Sequence, residues 1–341
     1  MAMGDVVFCS DEFWDQRGDD LVSIDPTIEV VRLVDDEQVT PSDLDRITVA
    51  LFSPDLFPVR TRSFLAACLR CPNLTWFQGS FAGFDNPAFQ SLLDRGVTFS
   101  TGSGATAPAI AETVMMYLLA LSRDLPGLIR DQAARHWRFR RVGELAGMRL
   151  GIVGFGAIGH EVAQRAEAFG MDVIGMRRRR DPDERFATWT IDRFEELLGW
   201  ADAIVVAAPL TDETRGMFDA DAFAQMKPGA WFVNVGRGAI VDESALLGAL
   251  ADGHLGGAGL DVFETEPLPT DSPLWTVPNV IITPHCSGDS DPSDARAVDI
   301  IVENFRRRAA GEPLMNLVTS QPPTVAAHEV SDATSMSPRR R

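Results

Sequence analysis

The chain has 341 residues, 31 basic and 49 acidic, for a formal net charge of −18; 45% are hydrophobic and 23% charged. That length predicts about two domains, each with its own core, and the composition excludes an intrinsically disordered chain. The acidic balance argues against a nucleic-acid partner, because such a surface repels phosphate. Lys227 is the one lysine, so nearly all positive charge is arginine, read as a compositional habit except where arginines cluster.

In chain order, the N-terminus MAMGDVVFCSDEFWDQ has no basic segment followed by an apolar run. No stretch approaches the roughly 18 uninterrupted apolar residues of a membrane span, and a cytoplasmic protein with no membrane partner is expected. Residues 5–9, 28–34 and 47–52 read as strands, TRSFLAACLRC and NPAFQSLLDRG as helices, so the N-terminal part is an alternating α/β unit. Of the four cysteines, Cys68 and Cys71 form a CxxC inside a helix-like stretch with no second pair, which reads as packed thiols rather than a zinc site. TGSGAT at 101–106 is a Gly/Ser-rich joint before an apolar helix from Pro108 to about Ser122, and a domain boundary is expected there.

From Arg149 the pattern becomes strand, glycine turn, helix. RLGIVGF, MDVIGM, ADAIVVAAP, GAWFVNVG, LGGAGLDVF and NVIITPH are apolar runs of strand length interleaved with helical segments. Apolar strands alternating with helices predict a doubly wound parallel sheet. ARAVDIIVENFRRRAAG reads as a striped helix, and residues 321–341 as a disordered tail. Only this short tail follows residue 320, so no C-terminal regulatory domain is expected.

Gly154, Gly156 and Gly159 form GFGAIG after a strand and before a helix. The first glycine allows the tight turn, the second close approach of a pyrophosphate, and the third helix–strand packing. Amides around Ala157 and Ile158 then face the anion at the helix N-terminus. The next strand ends near Met176, where an NAD-selective site places an acid; this chain has Arg177, Arg178, Arg179 and Arg180 instead. A guanidinium binds a 2′-phosphate through charge-assisted bonds, so NADP(H) is the preferred cofactor and NAD(H) the second option. The alternative is a solvated basic turn neutralised by Asp181, Asp183 and Glu184.

Three later strands each end on chemically loaded residues: VNVGRG with Arg237, GLDVFETEP with Asp261 and Glu266, and IITPHCSG with His285. Ligands bind at strand carboxyl ends in open α/β sheets, so these residues should share one crevice with the glycine turn. His136, His160, His254 and His328 lack that setting and read as surface groups.

QGSFAGFDN, ATAPAIAET, GIVGFGAIG, APLTDETRGMF, MKPGAWFVNVGRGAIVDESAL, GGAGLDVFETEPLP and NVIITPH, in this order over about residues 76 to 290, resemble the D-isomer-specific 2-hydroxyacid dehydrogenase family, which includes glyoxylate/hydroxypyruvate reductases. The resemblance implies a Rossmann domain over 102–288, inserted in a flavodoxin-like substrate domain formed by 1–101 and 289–320. It implies that amides of Ser80, Phe81, Ala82 and Gly83 hold the substrate carboxylate. Asp261 would bond the nicotinamide carboxamide, and Ala208, Pro209, Val235 and Gly288 would border the cofactor. It also implies a homodimer, with the apolar helix from Pro108 in the interface or in the core.

Residue chemistry agrees with a 2-keto acid or 2-hydroxy acid as the small-molecule partner. Arg237 supplies a cation for the carboxylate and polarises the carbonyl; His285 gives or takes the proton; Glu266 orients the ring and raises its pKa. No metal is called for. Formate dehydrogenases carry a glutamine where Glu266 stands, by the same resemblance, and corepressor-like relatives keep the same residues but act as partner-binding dimers. Phe52, Phe57, Phe81, Phe84 and Trp275 read as core or as an apolar substrate pocket, core being the commoner fate of such residues.

Overall fold

The computed structural model describes residues 4–35, 38–83, 86–179 and 181–318. The tail expected over 321–341, Phe84 and Arg180 lie outside them.

The first sheet contains β1 (Val6–Ser10), β2 (Glu29–Leu33), β3 (Val49–Phe52), β4 (Trp76–Gly79) and β5 (Thr98–Ser100). They run parallel in the order β2-β1-β3-β4-β5, the flavodoxin-like arrangement. β1, β3 and β4 are buried at every residue, as a parallel sheet covered on both faces requires. Helices α1 (Asp11–Ile24), α2 (Pro41–Leu44), α3 (Thr61–Arg70) and α4 (Pro87–Asp94) connect the strands. One face carries an aromatic core in which Phe8 stacks on Phe64 at 4.4 Å and Phe77 on Phe99 at 4.9 Å. Cys68 and Cys71 are buried thiols in that core.

Helix α1 was not legible in the sequence. DEFWDQRGDDLVSI buries only Phe13, Gly18 and Leu21, and the Ser10 side chain, accepting from Phe13 N, starts it. Gly18 passes so close to Trp14 that a Cβ would lie 2.9 Å from the ring, which explains a glycine in mid-helix.

The second sheet contains β6 (Arg149–Val153), β7 (Asp172–Met176), β8 (Thr188–Trp189), β9 (Ala203–Val206), β10 (Ala230–Asn234), β11 (Leu255–Leu260) and β12 (Val280–Ile282). The order is β12-β11-β10-β9-β6-β7-β8, again all parallel. Winding reverses between β6 and β9, which opens a crevice at the strand carboxyl ends. The helices here are α5 (Ala107–Ser122), α6 (Leu125–Ala133), α7 (Ala157–Ala168), α8 (Phe194–Trp200), α9 (Ala220–Gln225) and α10 (Glu243–Ala251). Helices α5 and α7 cover one face through Val114, Tyr117, Val162 and Ala163 against Leu150, Ile152 and Val233. Helices α8, α9 and α10 cover the other through Leu197, Phe223 and Leu246 against Ile204 and Phe232. The fold is therefore an α/β one of two parallel sheets, the second doubly wound.

Helix α11 (Asp291–Ala310) returns to the first sheet, where Ile301 and Phe305 pack with Val7, Phe13, Val49 and Trp76. Asn304 Nδ2 donates to Gln78 Oε1 at 2.7 Å and Arg308 pairs with Asp5 at 3.0 Å. The outgoing joint 101–106 and the returning segment 287–296 lie side by side: Arg296 Nε donates to Ala105 O at 2.7 Å. A Cβ on Gly288 would sit 3.0 Å from Thr106 Cβ, so a side chain there would have to push Thr106 back by a few tenths of an ångström.

The apolar helix α5 is chiefly core: Ile110, Ala111, Val114, Met115, Tyr117 and Leu118 are buried within this chain. Apart from Met116, which is exposed on α5, a run of exposed apolar residues lies beyond it, at Leu125, Leu128 and Ile129 of α6 and at Trp137 and Phe139 of the extended segment that follows. No helix among the described residues is long and apolar enough to cross a membrane.

Candidate active site

The turn from β6 into α7 is set by backbone crowding. Gly154 adopts φ +97°, and a Cβ there would lie 2.3 Å from Ala208 N. A Cβ on Gly159 would lie 2.7 Å from Gly154 O, so that glycine lets helix and turn meet. Gly156 differs: its Cβ would meet nothing within 4 Å, because it faces open space in front of α7. The first turn of α7, with Ala157 and Ile158, has no side-chain cap. An uncapped helix N-terminus behind an open glycine concavity fits the pyrophosphate of a dinucleotide. Gly175, which the motif does not include, is held small by Phe155, whose ring a Cβ would approach to 2.1 Å. Ala208 and Val235, at the ends of β9 and β10, are buried beside this turn, while Pro209 is exposed. Gly288 lies instead at the crossing against Thr106 and Ile110.

Beyond Met176 the arginines separate. Arg177 is half-buried, with Nη1 3.2 Å from Glu184 Oε2 and 3.5 Å from Asp181 Oδ2. The Arg178 side chain is 69% exposed, with Nε 3.6 Å from Glu213 Oε2. Glu184, its side chain 6% exposed, also accepts from Phe186 N at 3.2 Å and lies 2.6 Å from His160 Nε2. His160 Nδ1 is 2.8 Å from Gly156 O, and its ring packs on Phe155 at 4.5 Å. His160 is thus no ordinary surface histidine; it links the glycine turn to the arginine turn. Its place directly after the last glycine of GFGAIG, one helical turn past Gly156, was the available signal.

Arg237 follows β10 in an extended conformation, and its Nη1 donates to Gly236 O at 2.9 Å. The buried Asn234 holds the loop from inside: Nδ2 donates to Arg237 O at 3.1 Å and Oδ1 accepts from Gly236 N at 3.0 Å. The sequence reading passed over Asn234, because an asparagine at a strand end signals a turn as readily as a brace. At Gly238 a Cβ would overlap the Phe263 carbonyl at 1.8 Å, so the Arg237 loop lies flush against the β11 exit.

That exit carries Glu266. Its Oε1 accepts from Phe263 N at 2.9 Å and its Oε2 lies 2.7 Å from His285 Nδ1. The Glu266 hydrogen bond raises the His285 pKa above the ordinary histidine value, against the opposing effects of burial and of the Arg237 charge. Burial pushes the Glu266 carboxyl up, but the His285 bond and charge, the Phe263 amide and Arg237 outweigh it and hold the acid below its usual range. Arg237, Glu266 and His285 therefore form one electrostatic unit.

His285 has φ +49°, a left-handed conformation that needs support in a non-glycine residue. Asp261, 1% exposed, supplies it. Its carbonyl accepts from His285 N at 2.8 Å. Oδ1 accepts from Thr283 Oγ1 and from Cys286 N at 3.0 Å, and Oδ2 from Ser287 Oγ and from Ser287 N at 3.1 Å. A carboxylate has about four acceptor positions, and the 283–287 turn fills them. Asp261, expected to bond the nicotinamide carboxamide, also holds the turn that carries His285.

Ser80, Phe81, Ala82 and Gly83 leave the carboxyl end of β4. Phe81 O accepts from Gly102 N at 2.9 Å, and the Phe81 ring stacks on Phe89 at 4.9 Å and meets Phe52 edge-on at 5.2 Å. Its side chain anchors the loop to the core, leaving backbone groups near the surface. Phe52 is core with Phe81 packed against it, and Phe57 and Trp275 are exposed, so among the described residues these four do not form one apolar pocket.

Comparison with known proteins gives three findings. A family model described as the NAD-binding domain of D-isomer-specific 2-hydroxyacid dehydrogenases matches residues 115–287. D-3-phosphoglycerate dehydrogenase of Mycobacterium bovis is 36% identical over 278 residues, 79% of this chain and 52% of that protein; the match thus spans about half its length. Glyoxylate/hydroxypyruvate reductase B of Escherichia fergusonii is 37% identical over 247 residues, 70% of this chain and 76% of that protein. Among solved structures, a D-isomer-specific 2-hydroxyacid dehydrogenase from Xanthobacter autotrophicus Py2, in complex with NADPH and MES, superposes with a TM-score of 0.75 at 33% identity. The superposition covers 93% of this chain and 98% of that one.

Proposed function

The chain belongs to the D-isomer-specific 2-hydroxyacid dehydrogenase family, and from that premise we propose that it reduces a 2-keto acid to the D-2-hydroxy acid, and catalyses the reverse, with NADP(H). The observation that carries this reading is the 2.7 Å contact between His285 Nδ1 and Glu266 Oε2 within the field of Arg237. When bound, the nicotinamide supplies or accepts the hydride. The chain supplies the rest. Arg237 pairs with the substrate carboxylate and draws electron density from the carbonyl. His285, with Nδ1 donating to Glu266, presents Nε2 to the carbonyl oxygen and delivers its proton as the alkoxide forms; in oxidation it accepts that proton. Backbone amides of Ser80 to Gly83 complete the carboxylate site from the first sheet. Asp261 acts through the turn it holds, as a positioning residue.

The proposed preference for NADP(H) rests on the end of β7. No acid stands where it would bond the ribose hydroxyls and repel a phosphate; Arg177 and Arg178 stand there instead. Arg178 is the outer guanidinium, and Arg177 is held in place by Glu184. The exposed Trp137, Phe139 and Ile129 favour a homodimer built on α6 and the segment after it, which sedimentation would test.

The decisive assay follows NADPH and NADH consumption with glyoxylate, hydroxypyruvate, pyruvate and phenylpyruvate, and determines the product's configuration. Turnover with a D product is expected. NADP(H) binding without turnover on every member would refute the enzyme reading and favour a corepressor-like dimer.

A further inference from the structure

We infer that His160 is a specificity-positioning residue: its imidazolium neutralises the buried Glu184, so that Arg177 faces a 2′-phosphate against one acid, the more exposed Asp181, rather than two. This rests on the NADP(H) reading above and deepens it.

The argument is one of donors and acceptors. His160 Nδ1 faces Gly156 O at 2.8 Å, a group that can only accept. Its Nε2 faces Glu184 Oε2 at 2.6 Å, and both Glu184 oxygens already accept, Oε2 from Arg177 Nη1 and Oε1 from Phe186 N. A neutral imidazole has one N–H, and would leave a lone pair aimed at one of these oxygens. Both contacts are satisfied only when both ring nitrogens donate.

The charge balance then follows. Arg177 has two carboxylates near it, Glu184 at 3.2 Å and the more exposed Asp181 at 3.5 Å. Without a second cation the pair would overcompensate the guanidinium and repel a dianionic group, which is the effect of the acid that NAD-selective sites place here. Glu184 still anchors Arg177 and, through Phe186 N, the following chain, while His160 cancels its charge. Because Nδ1 holds the carbonyl of Gly156, the same ring ties this balance to the turn in front of α7.

The test uses two fragments that bind the adenosine end alone, 2′,5′-ADP and 5′-AMP, titrated calorimetrically into the full chain. The unaltered protein should bind 2′,5′-ADP more tightly. In His160→Gln its affinity should fall by about two- to fivefold, the range for a partly exposed charge interaction, with 5′-AMP affinity unchanged. Adding Glu184→Gln should recover most of the loss, because the charge to be neutralised is gone. Equal losses for both fragments, no loss, or no recovery in the double variant would each overturn the role assigned to His160. Equal binding of the two fragments by the unaltered protein would overturn the NADP(H) reading itself, and this inference with it.

Discussion

The two ends of the crevice are built differently. At the turn bearing His285, a carboxylate that is 1% exposed gathers four donors and fixes the backbone, and the imidazole that projects from it is oriented by a second carboxylate at 2.7 Å. At the arginine turn the outer guanidinium is 69% exposed and its nearest acid lies 3.6 Å away. A proton must be delivered to one atom in one direction, which demands a firmly held backbone; the buried Asp261 supplies it, while the side chains of His285 and Glu266 stay 48% and 35% exposed at the crevice. A phosphate is recognised by charge, which acts over several ångströms and tolerates mobile side chains.

Substitutions should separate the two ends by size of effect. His285→Ala should lower kcat by about 10³-fold, within the range for general acid–base catalysis. Dinucleotide affinity, read by quenching of NADPH fluorescence, should stay within about twofold of the parent; near-parental turnover would remove the proton-donor role. Arg237→Ala should lower kcat/KM for the keto acid by about 10² to 10³, as for loss of one charge-stabilising donor at a reacting carbonyl. Asp261→Asn replaces an acceptor by a donor against the amides of Cys286 and Ser287. It should destabilise the fold by about 1–3 kcal/mol in denaturant titrations and lower kcat, although Asp261 touches no reactant in this reading; an unchanged kcat would mean that the turn needs no clamp.

Glu266→Gln sharpens the comparison through pH. Glu266 raises the His285 pKa, so His285 holds the proton needed for reduction to higher pH than a free histidine would. The glutamine variant should lose its reductive activity at lower pH than the parent, and its oxidative activity should set in at lower pH. A profile that keeps its limbs would show that another group sets them. Arg178→Ser should have the smallest effect, raising the NADPH to NADH ratio of KM values by about two- to fivefold with kcat little changed.

Much of this was legible from the chain alone. Alternation of apolar runs with helical segments announced the doubly wound sheet, because strands buried on both faces carry no polar alternation. GFGAIG and the residues Arg237, Glu266 and His285 were legible because each follows an apolar run whose carboxyl end must open on the crevice. Helix α1 was missed because its apolar stripe is reduced to two large residues and a glycine. Asn234 and the clamping role of Asp261 were missed because hydrogen bonds to backbone groups leave no spacing pattern.

The sequence by itself determined the fold class and the glycine turn and singled out the residues proposed here to act on substrate, since these depend on periodicity and on residue type within one stretch of chain. Only the tertiary structure decided that His160, taken for a surface group, joins Gly156 to Glu184. It alone decided that Asp261 faces the 283–287 turn and that α5 lies mainly in the core while the exposed Trp137 and Phe139 follow α6. The physical reason is common to all three. Each depends on which polar or apolar groups arrive from distant parts of the chain, and so on how strands and helices pack rather than on the order of residues within any one of them.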